Sequence, residues 1–271
     1  MNYQTFEPHQ DLTPLIKCYW TLESPKEISP GKQTIVPDGC MEMIFHYGDP
    51  YIQYTDQEQH FLQPRCFVIG QLTRPLEIEP TGETGIFSVR FHPDGFIPWA
   101  TRPIKEMENT PLSLDLLFGN EGRMIEAQML EATSTAQRIE HIEAFLMHTM
   151  METSAIDRMV KSAVDILLTT NGQLSVQSLS LQTNINRRQL ERRFSSAIGL
   201  SPKQLAKTIR FINTLRMLLK NPSTSLTTVA YANAYYDQAH FNKDFKALTG
   251  LTPGEFYKDN LKMSAIFYSA D

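Results

Sequence analysis

Five residues recur at a fixed interval in the last third of the chain. Leu190, Phe194, Gly199, Leu200 and Pro202 return 51 positions later as Phe241, Phe245, Gly250, Leu251 and Pro253. Upstream, Ser175, Val176, Leu179 and Ser180 return at an offset of 50 as Ser225, Leu226, Val229 and Ala230, so the second copy carries a turn one residue longer. In each copy a serine able to cap a helix opens a short helix, a tight turn follows, and a second helix begins near Asn186 or Asp237. That order is helix-turn-helix. The apolar residues of each second helix sit four apart and must face inward. The outward face is then polar: Arg187, Arg188, Gln189, Glu191 and Arg192 in the first copy, and Gln238, His240, Asn242 and Lys243 in the second. Arg, Gln, Asn and His carry donors and acceptors that base edges in a DNA major groove can meet, and Lys or Arg at the rim neutralises phosphates.

Between the copies, Pro202 is placed to start a helix running to about Lys220, with Leu205, Ile209, Ile212, Leu215, Leu218 and Leu219 as its buried side. At ~1.5 Å per residue it spans ~28 Å, which with the helices' own offsets spaces two reading faces about one DNA turn (~34 Å) apart. Charge supports this division. Residues 154–271 hold 15 Lys and Arg against 8 Asp and Glu, a balance of +7, whereas residues 1–153 hold 10 against 22, a balance of −12. Of the 16 prolines, only Pro202, Pro222 and Pro253 fall after residue 153, so the basic half reads as helical and the acidic half as rich in strands and turns. With 41% hydrophobic and 20% charged residues, dominant disorder and collagen or coiled-coil arrays are excluded.

In the acidic half, short alternating segments bounded by Pro and Gly predict an antiparallel sheet closed into a small barrel or sandwich. Met41, Met43, Phe45 and Tyr47 share one strand face after the turn Pro37-Asp38-Gly39; further strands are expected at Phe67–Leu72, Leu76–Glu79 and Gly85–Phe91. In the last, Phe87, Val89 and Phe91 face one way and Ser88, Arg90 and His92 the other. Glu42 and Arg90 stand where a charged group would orient a small ligand in an apolar pocket, and Trp20 is a candidate wall. Trp99, Tyr19 and Phe96 read first as core. From Leu112 the texture is helical; Ile139, Ile142, Phe145, Leu146 and Met150 form a stripe that packs either on its own sheet or on a second copy of the chain. His46, His60 and His92 lack the spacing of a metal site, and Cys18, Cys40 and Cys66 are isolated, so no metal, cofactor or disulfide framework is expected.

Region 156–257 resembles the AraC/XylS family of bacterial transcription regulators. The resemblance rests on Arg188-Gln189-Leu190-Glu191-Arg192-Arg193-Phe194, Gly199-Leu200-Ser201-Pro202, Arg210, and the run from Asp237-Gln238-Ala239-His240-Phe241-Asn242-Lys243 to Gly250-Leu251-Thr252-Pro253. It implies base contacts from Arg188, Glu191 and Arg192 and from Gln238, Ala239, His240 and Lys243. Two departures stand out: Ala234 replaces the usual glycine of the second turn, and Ser180 replaces a small alanine. Cys18-Tyr19-Trp20, Val36 to Cys40 and Gly85 to Gly95 resemble the cupin-like sensory domains on a branch of these regulators.

The expectation is an α+β multidomain protein: a β-barrel over 1–110, a helical segment, linker or dimer contact over 111–153, an all-α DNA-binding domain with two helix-turn-helix motifs over 154–262, and a tail over 263–271. Double-stranded promoter DNA is the expected partner, with a small-molecule effector, a homodimer partner and RNA polymerase as candidates. The rival reading is a DNA-binding module fused to an enzymatic barrel, cysteine-based or metal-dependent. No apolar run reaches the ~20 residues of a membrane span and Met1–Gln10 has no leader character, so the cytoplasm is the expected compartment.

Overall fold

Period-two alternation of apolar residues builds two antiparallel sheets in the acidic half. The computed structural model describes residues 1–27, 31–55, 59–152, 155–221 and 224–259; the tail over 263–271 and the last residues of the expected 154–262 domain lie outside them. Among the described residues the strands run β1 (Asn2–Phe6), β2 (Ile16–Ser24), β3 (Gln33–Ile35), β4 (Glu42–His46), β5 (Tyr51–Tyr54), β6 (His60–Leu62), β7 (Cys66–Ile69), β8 (Leu76–Pro80), β9 (Thr84–Phe91) and β10 (Pro111–Ser113). One sheet has the order β1-β2-β9-β4-β7-β10 and the other β3-β8-β5-β6. Among the described residues no strand pairing joins the two, so the expected barrel is realised as facing sheets. Strands of three to five residues in the smaller sheet are too short to wrap around and close it.

The central strands of the larger sheet are buried on both faces, whereas its edge strands β1 and β10 are not. Along β9 every residue is buried: Phe87, Val89 and Phe91 enter a core that also holds Met43 and Phe45 of the neighbouring strand β4 and Met41 just before it, while Ile86 and Arg90 face the smaller sheet. Helices α1 (Leu114–Phe118), α2 (Asn120–Glu131) and α3 (Thr135–Thr149) cover the first face. The α3 stripe is spent there: Ile142 and Leu146 are fully buried in that core, with Ile139 and Phe145 packed against it, whereas Met150 stays exposed. The dimer alternative is therefore not carried by the stripe. Trp99 is core, its indole N–H donating to the Leu146 carbonyl at 3.0 Å, whereas Trp20 lies on the opposite face of the sheet.

The basic half is α4 (Ala155–Thr169), α5 (Val176–Thr183), α6 (Arg187–Ala197), α7 (Pro202–Lys220), α8 (Leu226–Ala232), α9 (Gln238–Thr249) and α10 (Pro253–Asp259). Each helix of the repeat starts at a side-chain cap. Ser175 and Ser225 accept from the backbone N–H groups of Ser178 and Thr228, Asn186 and Asp237 from those of Gln189 and His240, and Ser201 with Gln204 closes a capping box on α7. α7 is buried on more sides than its amphipathic stripe suggests. Leu205 and Ile209 serve the core of the first copy, while Phe211, Ile212 and Leu215 serve that of the second, so one helix anchors both.

The two turns show what the departures in the motif mean. Asn184 and its repeat partner Ala234 both adopt left-handed backbone, φ 53° and 55°. Asparagine tolerates that region, but an alanine Cβ crowds the carbonyl there at ~1–2 kcal/mol. Ala234→Gly is expected to stabilise the chain by about 0.5–1 kcal/mol, the strain relief less the added freedom of the unfolded chain. A helical melt followed by circular dichroism checks this, and an unchanged or lower Tm refutes it. Ser180 spans its own turn, its hydroxyl donating to the Ile185 carbonyl.

The two halves meet at the ends of the repeat. Gly199 and Gly250, equivalent glycines with φ of 83° and 77°, both face the N-terminal domain, the first against Ile104 and the second against Pro75. Between them Gly39 faces Leu205 and Thr208 of α7, and Val36 is buried within the second copy's core beside Phe211 and Phe241.

Candidate functional site

Two arrangements in the structure carry functional chemistry, one on the repeated helices and one between the sheets. On α6, Leu190 and Phe194 are buried and Arg187, Arg188, Gln189 and Arg192 are exposed, with Glu191 half-buried. These are not equivalent. The Arg187 Nε donates to Glu191 Oε1 at 2.9 Å, an i,i+4 pair that occupies both groups. Arg188 and Arg192, one turn apart, share the exposed face and carry the first helix's open guanidinium charge.

On α9, Gln238, Ala239 and Lys243 are exposed, while His240 and Asn242 are half-buried. His240 packs edge-on against Tyr235 and its Nε2 stands 3.6 Å from Asp244 Oδ2. Asp244 also holds Lys207 Nζ at 3.2 Å and lies 3.9 Å from an Arg210 nitrogen. Part of the polar face of α9 thus ties that helix to α7, and of the expected base-reading residues Gln238, Ala239 and Lys243 stay exposed. Sequence spacing alone missed this inward network, because a polar residue on a helix looks the same whether it meets solvent or a buried counter-charge.

The second arrangement is a cavity of about 100 Å³ between the sheets. Its walls are apolar and aromatic: Trp20 and Leu22 from β2, Ile44 from β4, Tyr51 from β5, Ile78 from β8 and Ile86 from β9. The period-two face of β4 opposite Met43 and Phe45 delivers Glu42, Ile44 and His46 into it, so all three sequence candidates, Trp20, Glu42 and Arg90, line one space. Asp38 and His46, read from the sequence as a turn residue and as a histidine without metal-site spacing, line it too.

The polar end is a triad of charges. Arg90 donates to Asp38 Oδ2 and its Nε lies 3.7 Å from Glu42 Oε1, with the Arg90 side chain only 6% exposed. Burial pushes the Glu42 carboxyl up to about 7, against the opposing pull of hydrogen bonds from Ser88 and Trp20 and of the Lys17 charge. Farther along β4, burial lowers His46 to about 4, so the ring is neutral near pH 7. Gln63 donates to Gln53 Oε1 at 3.0 Å, which turns its own carbonyl oxygen toward His46 Nε2 at 3.2 Å. Nε2 therefore holds the proton, and His46 Nδ1, which has no hydrogen-bond partner among the described residues, is an acceptor in the cavity wall. A second opening of about 250 Å³ lies between the sheets' end and α7; Asp38, Cys40 and Arg90 line both spaces.

Among the described residues no three His, Cys, Asp or Glu side chains group as a metal site. The cysteines form no disulfide among the described residues, and burial raises the Cys66 thiol, which opposes thiolate formation. No helix among the described residues is long and apolar enough to cross a membrane.

Comparison with known proteins falls along the same division. Residues 179–259 match the family described as a helix-turn-helix domain, and residues 4–113 match a domain of unknown function, DUF6597. The HTH-type transcriptional regulator MtrA of Neisseria gonorrhoeae is 33% identical over 85 residues, which is 31% of this chain and 28% of MtrA. The HTH-type transcriptional regulator GbdR of Pseudomonas aeruginosa is 32% identical over 80 residues, 30% of this chain and 22% of GbdR. The chain thus aligns with less than a third of either relative. Among solved structures, ToxT of Vibrio cholerae O395 aligns over 94% of this chain and 96% of its own, at 12% identity and a TM-score of 0.48. An AraC-type DNA-binding-domain regulator from Chromobacterium violaceum aligns over 40% of this chain and 93% of its own, at 25% identity and a TM-score of 0.34.

Proposed function

We propose that this chain is a one-component transcription regulator of the AraC type: residues 154–262, which include the stretch matching a helix-turn-helix domain, bind promoter DNA, and the N-terminal domain governs that binding. The observation that carries this reading is the duplicated motif with two outward polar faces held by one shared helix, α7. Arg188 and Arg192 on α6, with Gln238, Ala239 and Lys243 on α9, are the leading base-reading groups; Arg187, Gln189, Glu191, His240 and Asn242 are supporting ones. A segment of double-stranded DNA with two boxes about one turn apart is the expected target.

In this reading the cavity between the sheets receives a small-molecule effector. Its apolar walls with a few convergent polar groups support that role. The path to DNA is short. Asp38, Cys40 and Arg90 form a partition shared with the opening beside α7, and the adjoining residues Val36 and Gly39 pack into or against the DNA-binding half. With Ile104 and Pro75 seated at the equivalent stops of both reading helices, the N-terminal domain is in contact with the elements that set their spacing. An effector that binds one arrangement of this partition more tightly shifts the population toward it. A second copy of the chain and RNA polymerase are the remaining proposed partners; exposed Leu116, Met124 and Met147 offer the former a surface. The enzymatic alternative draws no support from the cysteines or from the cavity.

The test is selection of binding sites from random duplex DNA by the full-length chain at two salt concentrations. Enrichment of a two-box motif is expected, with affinity falling steeply as salt rises. No enrichment at either salt would overturn the regulator reading.

A further inference from the structure

We propose that the cavity between the sheets takes an apolar monocation, an amine carried on a hydrophobic body. This rests on the small-molecule reading above and names the chemical class of the effector. Charge is unbalanced along the wall of this cavity. The cavity wall carries two carboxylates, Asp38 and Glu42, and one guanidinium, Arg90. Arg90 gives its close hydrogen bond to Asp38 and only a 3.7 Å approach to Glu42. Among the side chains that line this cavity, ionised Glu42 leaves one negative charge in excess, Lys17 and Arg216 lining the adjoining opening instead. A bound ammonium restores neutrality; a bound carboxylate deepens the excess and must first displace Asp38 from Arg90.

The groups facing Glu42 agree. Ser88 on β9 donates to Glu42 Oε2 at 3.2 Å, and the Trp20 indole on β2 lines the same wall, so neither competes as a cation. Cys40 lies on the loop before β4, and Ile69 of β7 is the register partner of Glu42. Lys17 of β2 lines the opening beside α7 and not this cavity, and its pull leaves the Glu42 carboxyl raised. The remaining wall suits an apolar body, and an aromatic face such as Trp20 attracts a cation besides. At the far end of β4's inward face, roughly 13 Å away at ~3.3 Å per residue, neutral His46 offers a bare acceptor and repels no cation.

Calorimetric titration of the full chain with hexylamine, hexanol and hexanoate tests this. Hexylamine is expected to bind about tenfold tighter than hexanol at pH 8, and hexanoate weaker than both. The amine's advantage should shrink at pH 6, where Glu42 is protonated, and vanish at either pH in Glu42→Gln. Because the pH comparison uses the unaltered protein, a failure of that variant to fold leaves the test standing. Equal affinity for amine and alcohol, or preference for hexanoate, overturns the cation assignment while the cavity remains an effector site. No binding of any of the three overturns both.

Discussion

Replacing Arg192 with alanine is expected to weaken binding of the full-length chain to its selected site by about 1–3 kcal/mol, a factor of roughly 5 to 150, with little change on random DNA. The magnitude follows from geometry. Arg192 stands on the exposed face of α6 one turn beyond Arg188, and the inward residues Leu190 and Phe194 fix that face by being fully buried. Arg187→Ala should cost less, because its guanidinium is already engaged by Glu191. Fluorescence anisotropy against both DNAs checks this. Equal loss on both, with the salt slope reduced by about one, would move Arg192 from base reading to phosphate contact.

Replacing Arg90 with alanine is expected to destabilise the N-terminal domain by about 3–5 kcal/mol at pH 8, the penalty for leaving buried charge without its partner. Asp38 and Glu42, with side chains 14% and 18% exposed, would then face each other with no cation in the wall. The loss should be smaller at pH 5. Glu42 titrates near 4.5 in the unfolded chain and about 7 in the folded one. Below 4.5 it is neutral in both states, and as pH rises from 4.5 to 7 the unfolded chain ionises first, so the folded state loses stability across that window. Removing Arg90 widens it. Urea unfolding followed by tryptophan fluorescence reads this domain selectively, since both tryptophans, Trp20 and Trp99, lie within it. A loss below about 1 kcal/mol, or one independent of pH, would refute the charge account.

Much of the basic half is legible in the amino-acid sequence. Ser175, Asn186, Ser225 and Asp237 mark helix starts because a short side-chain acceptor satisfies amide groups only a few residues on, and the structure has those four residues as caps, with Ser201 as a fifth before Pro202. The helix over Pro202–Lys220 and the strand faces of Met41 to Phe45 and Phe87 to Phe91 follow from periodicity for the same reason: period and cap are local. The membership of the cavity is half legible. Alternation along β4 and β9 puts Glu42 and Arg90 on faces away from the aromatic core, but it does not say that those faces meet a second sheet.

What the sequence determined by itself, then, is the set of elements, their polar and apolar faces, the duplication, and the opposite charge of the two halves. What only the tertiary structure decided is which faces meet. The α3 stripe went to its own sheet, the strands divided into two facing sheets, α7 became buried on several sides, and Val36, on the cavity wall, also joined the core of the second copy. Likewise, Arg90 bonds Asp38 more closely than Glu42, and His240 turns toward Asp244. These outcomes depend on contacts between residues far apart in the chain, where burial and charge pairing act through space and leave no period or spacing along the sequence to read.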